Sequence, residues 1–284
     1  MTKTKKPAKT LTAMQEAVET AKTVVYALLI AFVIRTVLFQ PYTIPSASEE
    51  PNLYEGDYII VSKWSYGYSR HSILMSPPLF NGRILFSPPK RGDIIVFKLP
   101  RDGDTDYIKR LVGLPGDRIQ MKAGRLYIND APVGAQVVGP VETDDRADAY
   151  GVARREQATL QRETNPEGRQ YLTQIHGPNE PAANTGVYVV PEHCYFMMGD
   201  NRDNSADSRF DPGVPPEDPK LGGCGWDGRL DAQFPMSEGV GFVPEDNLEG
   251  KAQIIILSWN KGAALFKPWT WLDLRWNRFF HGLQ

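Results

Sequence analysis

Ile44-Pro45-Ser46-Ala47-Ser48-Glu49-Glu50-Pro51-Asn52-Leu53-Tyr54-Glu55-Gly56 sets two hydroxyls, Ser46 and Ser48, two residues apart, just beyond an apolar segment that ends near Phe39. Pro45 and Pro51 exclude a regular helix, because each lacks a backbone N–H and restricts the residue before it. The serines therefore stand on a stiff, extended or turning connection. From this stretch alone two readings are open, a polar linker leaving an apolar anchor or the site of a nucleophile. A serine hydroxyl is a poor nucleophile near neutral pH and needs a base to take its proton. His71, His176, His193 and His281 fall in no triad motif, although a triad is a matter of geometry that sequence leaves open. Lys109 is the other candidate base. Tyr107-Ile108-Lys109-Arg110-Leu111-Val112 reads as a strand whose β-formers would desolvate the amine and lower its pKa. The competing reading puts Lys109 on the wet face of a half-buried strand.

Beyond this stretch the pattern is β. Tyr58-Ile59-Ile60-Val61, Ile94-Ile95-Val96-Phe97 and Tyr107 to Val112 are short β-branched or aromatic runs bounded by Gly56-Asp57, Arg91-Gly92-Asp93 and Leu114-Pro115-Gly116-Asp117. Arg118 to Met121 and Arg125 to Ile128, joined through Lys122-Ala123-Gly124, read as a hairpin. Tyr195 to Met198 and Ile254 to Leu257 restore the core later in the chain, and the Ser- and Pro-containing excursion from Tyr66 to Pro89 reads as a loop over the sheet. The 284 residues suffice for one sizeable core or two modest domains. With 41% hydrophobic and 23% charged residues the chain has the composition of a folded protein. A net charge of −2 gives no electrostatic basis for nucleic-acid binding.

Five boxes, in order, carry a resemblance. Pro45-Ser46-Ala47-Ser48-Glu49-Glu50-Pro51, Gly56-Asp57-Tyr58-Ile59, Arg91 to Phe97, Tyr107 to Asp117, and Gly199-Asp200-Asn201-Arg202-Asp203-Asn204-Ser205-Ala206-Asp207-Ser208-Arg209 together resemble the bacterial type I signal peptidases, serine proteases with a Ser/Lys dyad. The resemblance implies a mainly β fold: a membrane-anchored catalytic β domain with an inserted smaller β module and one N-terminal transmembrane helix. It implies Ser48 as nucleophile, Lys109 as base, and the Ser48 backbone N–H with the Ser46 hydroxyl as oxyanion hole. Ser205 is expected to hydrogen-bond the Lys109 amine, Asp207 and Arg209 to give supporting ion pairs, and Asp200 to pair with Arg110. Tyr42, Ile44, Pro45, Leu53, Tyr107 and Ile108 are expected to line the substrate pockets. The implied partners are preproteins bearing signal peptides, a lipid bilayer and the export machinery, with no nucleic acid, no metal and no organic cofactor. One position departs from the family, which normally has methionine where this chain has Glu49. Either that carboxylate points to solvent, or it sits beside Ser48 and alters activity, for example by pairing with Lys109 and keeping it protonated.

The segments follow. Residues 1–23 form a basic tail with Lys3, Lys5, Lys6, Lys9 and Lys22, a bias that holds a tail in the cytoplasm. Residues 24–40 read as a membrane span, short against the usual requirement of about 20 residues, with Arg35 able to snorkel. A cleaved secretory signal is the rival, with Ser46-Ala47-Ser48 as its small-residue site, and cleavage there would destroy the implied nucleophile. The catalytic domain is expected at 41–128 and 192–262, interrupted by a non-catalytic module at 129–191 and a Pro/Gly-rich surface insertion at 210–239. The tail 263–284 alternates Trp269, Trp271, Trp276, Phe279 and Phe280 with Arg275 and Arg278, a pattern equally suited to a membrane interface and to packing on the protein's own core. Cys194 and Cys224 can bridge in an oxidising compartment or remain two free thiols. The expected activity is removal of signal peptides at the outer face of a bacterial plasma membrane. A dedicated Ser/Lys maturation protease and a catalytically silent membrane-anchored β scaffold are the alternatives.

Overall fold

The computed structural model describes residues 13–147, 153–225, 239–260 and 267–283. Most of the basic tail, half of the 210–239 insertion, and residues 263–266 and 284 of the final segment lie outside them. Helix α1 covers Ala13–Val33 and runs through one wide turn, Ile34–Leu38, straight into the first strand. The apolar stretch Met14–Leu38 spans 25 residues, and its most apolar window is not buried among the described residues. At 1.5 Å per residue that is roughly 38 Å, more than the ~30 Å of a bilayer core. The helix begins well before Val24 and ends before Gln40, because Ala13 to Thr23 has the propensity to extend it and Pro41 has none.

The strands are β1 Phe39–Thr43, β2 Asp57–Ser62, β3 Ile94–Lys98, β4 Asp106–Gly113, β5 Arg118–Lys122, β6 Arg125–Ile128, β7 Ala131–Pro132, β8 Gly134–Ala147, β9 Ala153–Thr164, β10 Gln170–Ile175, β11 Tyr188–Val189, β12 Cys194–Met198, β13 Val243–Pro244, β14 Leu248–Ser258 and β15 His281–Gly282. The main sheet runs β1-β2-β14-β3-β4-β12-β13, with β15 also on β14. Register shifts along β14 let this long strand pair with β2 over Lys251–Ser258 and with β3 over Leu248–Lys251. β3 reads as an unbroken apolar run because both of its faces are covered. Ile94 and Val96 pack with Ile44, Leu53, Ile59 and Val61 on one side. Ile95 and Phe97 pack with Leu111, Tyr195 and Met197 on the other. Each such side chain contributes roughly 1.5–3 kcal/mol through burial.

β5 and β6 form the expected hairpin, and Ala123 and Gly124 both have positive φ, as a two-residue turn matched to strand twist requires. Within 129–191, β8, β9 and β10 make a separate three-stranded sheet, while β11 returns to pair with β5. Two ion pairs tie this module to the rest of the fold: the buried Glu163 of β9 with Arg202 at 2.8 Å, and Asp93 with the part-buried Arg169, in the turn between β9 and β10, at 2.8 Å. Cys194 and Cys224 form a disulfide, so the start of β12 holds the described part of the 210–239 insertion. The final segment meets neither expectation alone. Arg278 pairs with the fully buried Asp57 at 2.6 Å, and Arg275 bonds the Ser258 hydroxyl at 2.7 Å. Trp269, Trp276 and Phe280 nevertheless face outward, each at least 66% exposed.

Candidate active site

Ser46 is extended (φ −139°, ψ 159°), and Ala47–Glu49 then closes a single 3-10 turn. The amides of Asn52 and Leu53 both donate to the Glu49 carbonyl, which folds the chain back under the serines. Asn201 fixes the turn from the other side: its backbone N–H donates to the Ser48 carbonyl at 3.1 Å and its side-chain amide to the Ala47 carbonyl at 3.2 Å. Gly199 makes this approach feasible. A Cβ there would sit 2.2 Å from Ser205 Oγ and 2.5 Å from the Ser48 carbonyl oxygen.

Lys109 reaches the same point from β4. Its partner on β3 is Ile95, and its Nζ lies 2.5 Å from Ser48 Oγ with both residues buried. Ser46 Oγ is 3.3 Å from Ser48 Oγ. Burial pushes the Lys109 pKa below its ordinary value, against the opposing pull of Glu49, Asp207 and Asp200. The surrounding charges are paired. Arg110 grips Asp200 through two 2.7 Å bonds, and Asn52 donates to the same carboxylate at 2.7 Å. Arg209 holds Asp207 at 2.8 Å. Burial alone would raise the Asp207 pKa, but Arg209 and two backbone amides, of Gly199 and Arg209 itself, hold it below the usual carboxylate range.

One expectation fails here, and one open alternative closes. The Ser205 hydroxyl is buried without a hydrogen-bond partner among the described residues, so it does not bond the Lys109 amine. Glu49 does not point to solvent. Its side chain is completely buried, because the 3-10 turn that turns Ser48 toward the cavity directs the next residue into the protein. Burial pushes its pKa well above the ordinary carboxyl value, and the neighbouring Asp200 adds to this while Lys109 and Arg110 oppose it.

A cavity of about 520 Å³ opens over the dyad, lined by Pro45 to Ser48, Glu55, Thr105 to Lys109, Asn204 and Ala206. A second, of about 240 Å³, is lined by Tyr42 to Pro45, Val96 and Asp106 to Ile108. Of the residues expected to line substrate pockets, Tyr42, Ile44, Pro45, Tyr107 and Ile108 do border these cavities. Leu53 does not: it is fully buried in the core beneath, packed with Ile44 and Ile59, and supports the wall from behind. Sequence reasoning missed Asn52, Glu55, Thr105, Asp106, Asn201 and Asn204. The signal for Asn201 and Asn204 lay in the Gly199–Arg209 box, but a polar residue there does not declare which backbone it will reach.

Comparison with known proteins places most of the chain beside one family. The family model described as "Signal peptidase, peptidase S26" matches residues 17–259. This chain belongs to that family, and is therefore a peptide hydrolase. The signal peptidase I of Rickettsia typhi is 35% identical over 277 residues, covering 91% of this chain and 90% of the relative. That of Rickettsia massiliae is 36% identical over 278 residues with the same coverage. A crystal structure of a signal peptidase I from Enterococcus faecalis is 24% identical, covers 58% of this chain and 97% of its own, and superimposes with a TM-score of 0.28. So low a score carries no argument.

Proposed function

We propose that the protein is a membrane-bound serine endopeptidase that removes N-terminal signal peptides from exported preproteins through a Ser48/Lys109 dyad. The observation that carries this reading is the 2.5 Å contact between Lys109 Nζ and Ser48 Oγ at the floor of the larger cavity. The substrate path is supported by unpaired strand edges. β4 pairs with β3 from Asp106 to Arg110 but with β12 only from Arg110 onward, and β1 pairs with β2 alone. An extended peptide can add its main-chain hydrogen bonds between β1 and the Asp106–Lys109 edge, with its side chains alternating between the two cavities. The family suits this path to small side chains at the first and third positions before the cut.

In the reaction the Ser48 hydroxyl gives its proton to the neutral Lys109 amine as Oγ bonds to the scissile carbonyl carbon. The oxyanion so formed takes hydrogen bonds from the Ser48 backbone N–H and the Ser46 hydroxyl, one such donor being worth about 3 kcal/mol of barrier. The carbon–nitrogen bond then breaks, the leaving amine takes the proton from Lys109, and the signal peptide remains as an ester on Ser48. Lys109 next removes a proton from water, whose oxygen attacks the ester and releases Ser48. The family, together with the long apolar helix that precedes β1 and is left exposed among the described residues, supports anchoring in the bacterial plasma membrane. The basic tail supports a cytoplasmic N-terminus and a catalytic domain on the outer face. The reading is tested by incubating detergent-solubilised protein with a preprotein and sequencing the new N-terminus. Cleavage after a small residue at the end of the signal segment is expected, and an intact preprotein would overturn it.

A further inference from the structure

Glu49 is the residue that the chemistry above leaves unused. It adjoins the nucleophile, is wholly buried, and neither of its carboxyl oxygens has a hydrogen-bond partner among the described residues. Its surroundings are otherwise charge-balanced. On β4, Arg110 is matched to Asp200, and on the segment after β12, Asp207 is matched to Arg209 and Arg202 to Glu163. Two titratable groups remain without a counter-ion in contact, Glu49 and Lys109. No salt bridge joins them, and the Lys109 amine is directed at Ser48 instead.

Building on the proposed Ser48/Lys109 dyad, we propose that Glu49 is a positioning residue that acts through Lys109: the two side chains share a single proton, and that proton rests on the Glu49 carboxyl. Two arrangements of this proton have the same net charge. In one, a carboxylate and an ammonium are both buried without contact, and each carries the cost of lost hydration with no direct partner to offset it. In the other, a neutral carboxyl and a neutral amine are buried, and the amine is free to accept the Ser48 proton. The second avoids both desolvated charges. The groups facing Glu49 divide evenly, Asp200 and Asp207 favouring its neutral form, Lys109 and Arg110 its ionised form, so that burial decides. Where the family normally carries methionine, a protonated carboxyl occupies the slot as an uncharged side chain. Unlike methionine, it can lose its proton at alkaline pH, and the pair then holds no proton, with Lys109 still neutral.

The experiment uses the full chain in detergent micelles, with Glu49→Gln as a neutral isostere and Glu49→Met as a second variant should the first fail to fold. Infrared difference spectra between parent and variant at pH 7 should show a protonated carboxyl band in the parent that each variant lacks. In kcat/KM against pH on a preprotein substrate, the acidic limb of Glu49→Gln should fall at the same pH as in the parent. A carboxylate band in its place, or an acidic limb shifted downward by a pH unit or more, would put the proton on Lys109 and overturn the proposal. The infrared readout needs no turnover. If parent and variants alike fail to cleave any preprotein, the peptidase reading falls while the location of the proton is still decided.

Discussion

At the scale of single residues, the proposed mechanism gives the two serines and the lysine separable duties, because in it only Ser48 forms a bond to the substrate. Ser48→Ala should abolish turnover without loss of fold, whereas Ser46→Ala removes one oxyanion donor and should slow kcat by about 10²–10³-fold. Both are read from single-turnover cleavage of a preprotein. Lys109→Arg retains a cation but offers no neutral amine, so it should be inactive, and an active Lys109→Arg would remove the lysine from the mechanism. Stability against pH gives a second view of the same pair. A lysine whose folded pKa is lowered opposes folding below its unfolded value of ~10.4, and a carboxyl whose folded pKa is raised opposes folding above its unfolded value of ~4.3. In the parent these slopes cancel between the two values, since the folded pair and the unfolded pair each bind one proton. Lys109→Met leaves Glu49 alone, a group that binds more protons when folded. The stability of that variant should therefore fall as pH rises from ~4.3 toward the raised Glu49 pKa, by up to 1.36 kcal/mol per pH unit, as measured by denaturant midpoints. A flat profile would show that Glu49 ionises freely in the fold.

At the scale of elements, the site depends on how a 3-10 turn is held between β4 and the Gly199–Arg209 segment. Gly199→Ala would force its Cβ against Ser205 Oγ and the Ser48 carbonyl, both within 2.5 Å. It should move the nucleophile by enough to lower kcat at least tenfold while changing stability less than a core cavity does, which kcat and thermal midpoint together would reveal. Asp200→Ala leaves Arg110 buried without its bidentate partner and frees Asn52 on one side, at a cost of about 3–5 kcal/mol. Much of this level was legible beforehand. The period-2 and unbroken apolar runs located β2, β3, β4 and the β5–β6 hairpin, because burial on one or both faces writes itself directly into the residue pattern. Chemistry and the succession of boxes singled out Ser48 and Lys109, which the fold brings into contact. What stayed hidden were the contacts between distant segments: Asn201 on the Ser48 carbonyl, Leu53 behind the pocket wall, the rotation that buries Glu49, and the Ser205 hydroxyl that misses Lys109. Those depend on side-chain directions fixed only when β4, β12 and the serine turn are brought together, and no local periodicity encodes them.

At the scale of the whole molecule, the anchor, the cleft and the final segment act on one geometry. The helix leads without a loop into β1, since Phe39 at the start of that strand follows directly on the turn Ile34–Leu38. β1 in turn borders the smaller cavity through Tyr42 and Thr43. The terminal segment is clamped by Arg275 and Arg278 to the base of β2 and leaves Trp269, Trp276 and Phe280 exposed, side chains that suit the interfacial layer of a bilayer. The lysine-rich residues before the helix argue for an inward N-terminus. Protease added to intact spheroplasts should then digest the region after Gln40 and spare an epitope placed in the first twelve residues, whereas protection of the large domain would reverse the orientation. Arg278→Ala separates clamp from orientation. It leaves the helix and the basic tail untouched but strips Asp57, fully buried, of its 2.6 Å partner. Topology in spheroplasts should stay as in the parent while the thermal midpoint drops, and a variant with parental stability would show that the terminal segment contributes nothing to holding the sheet.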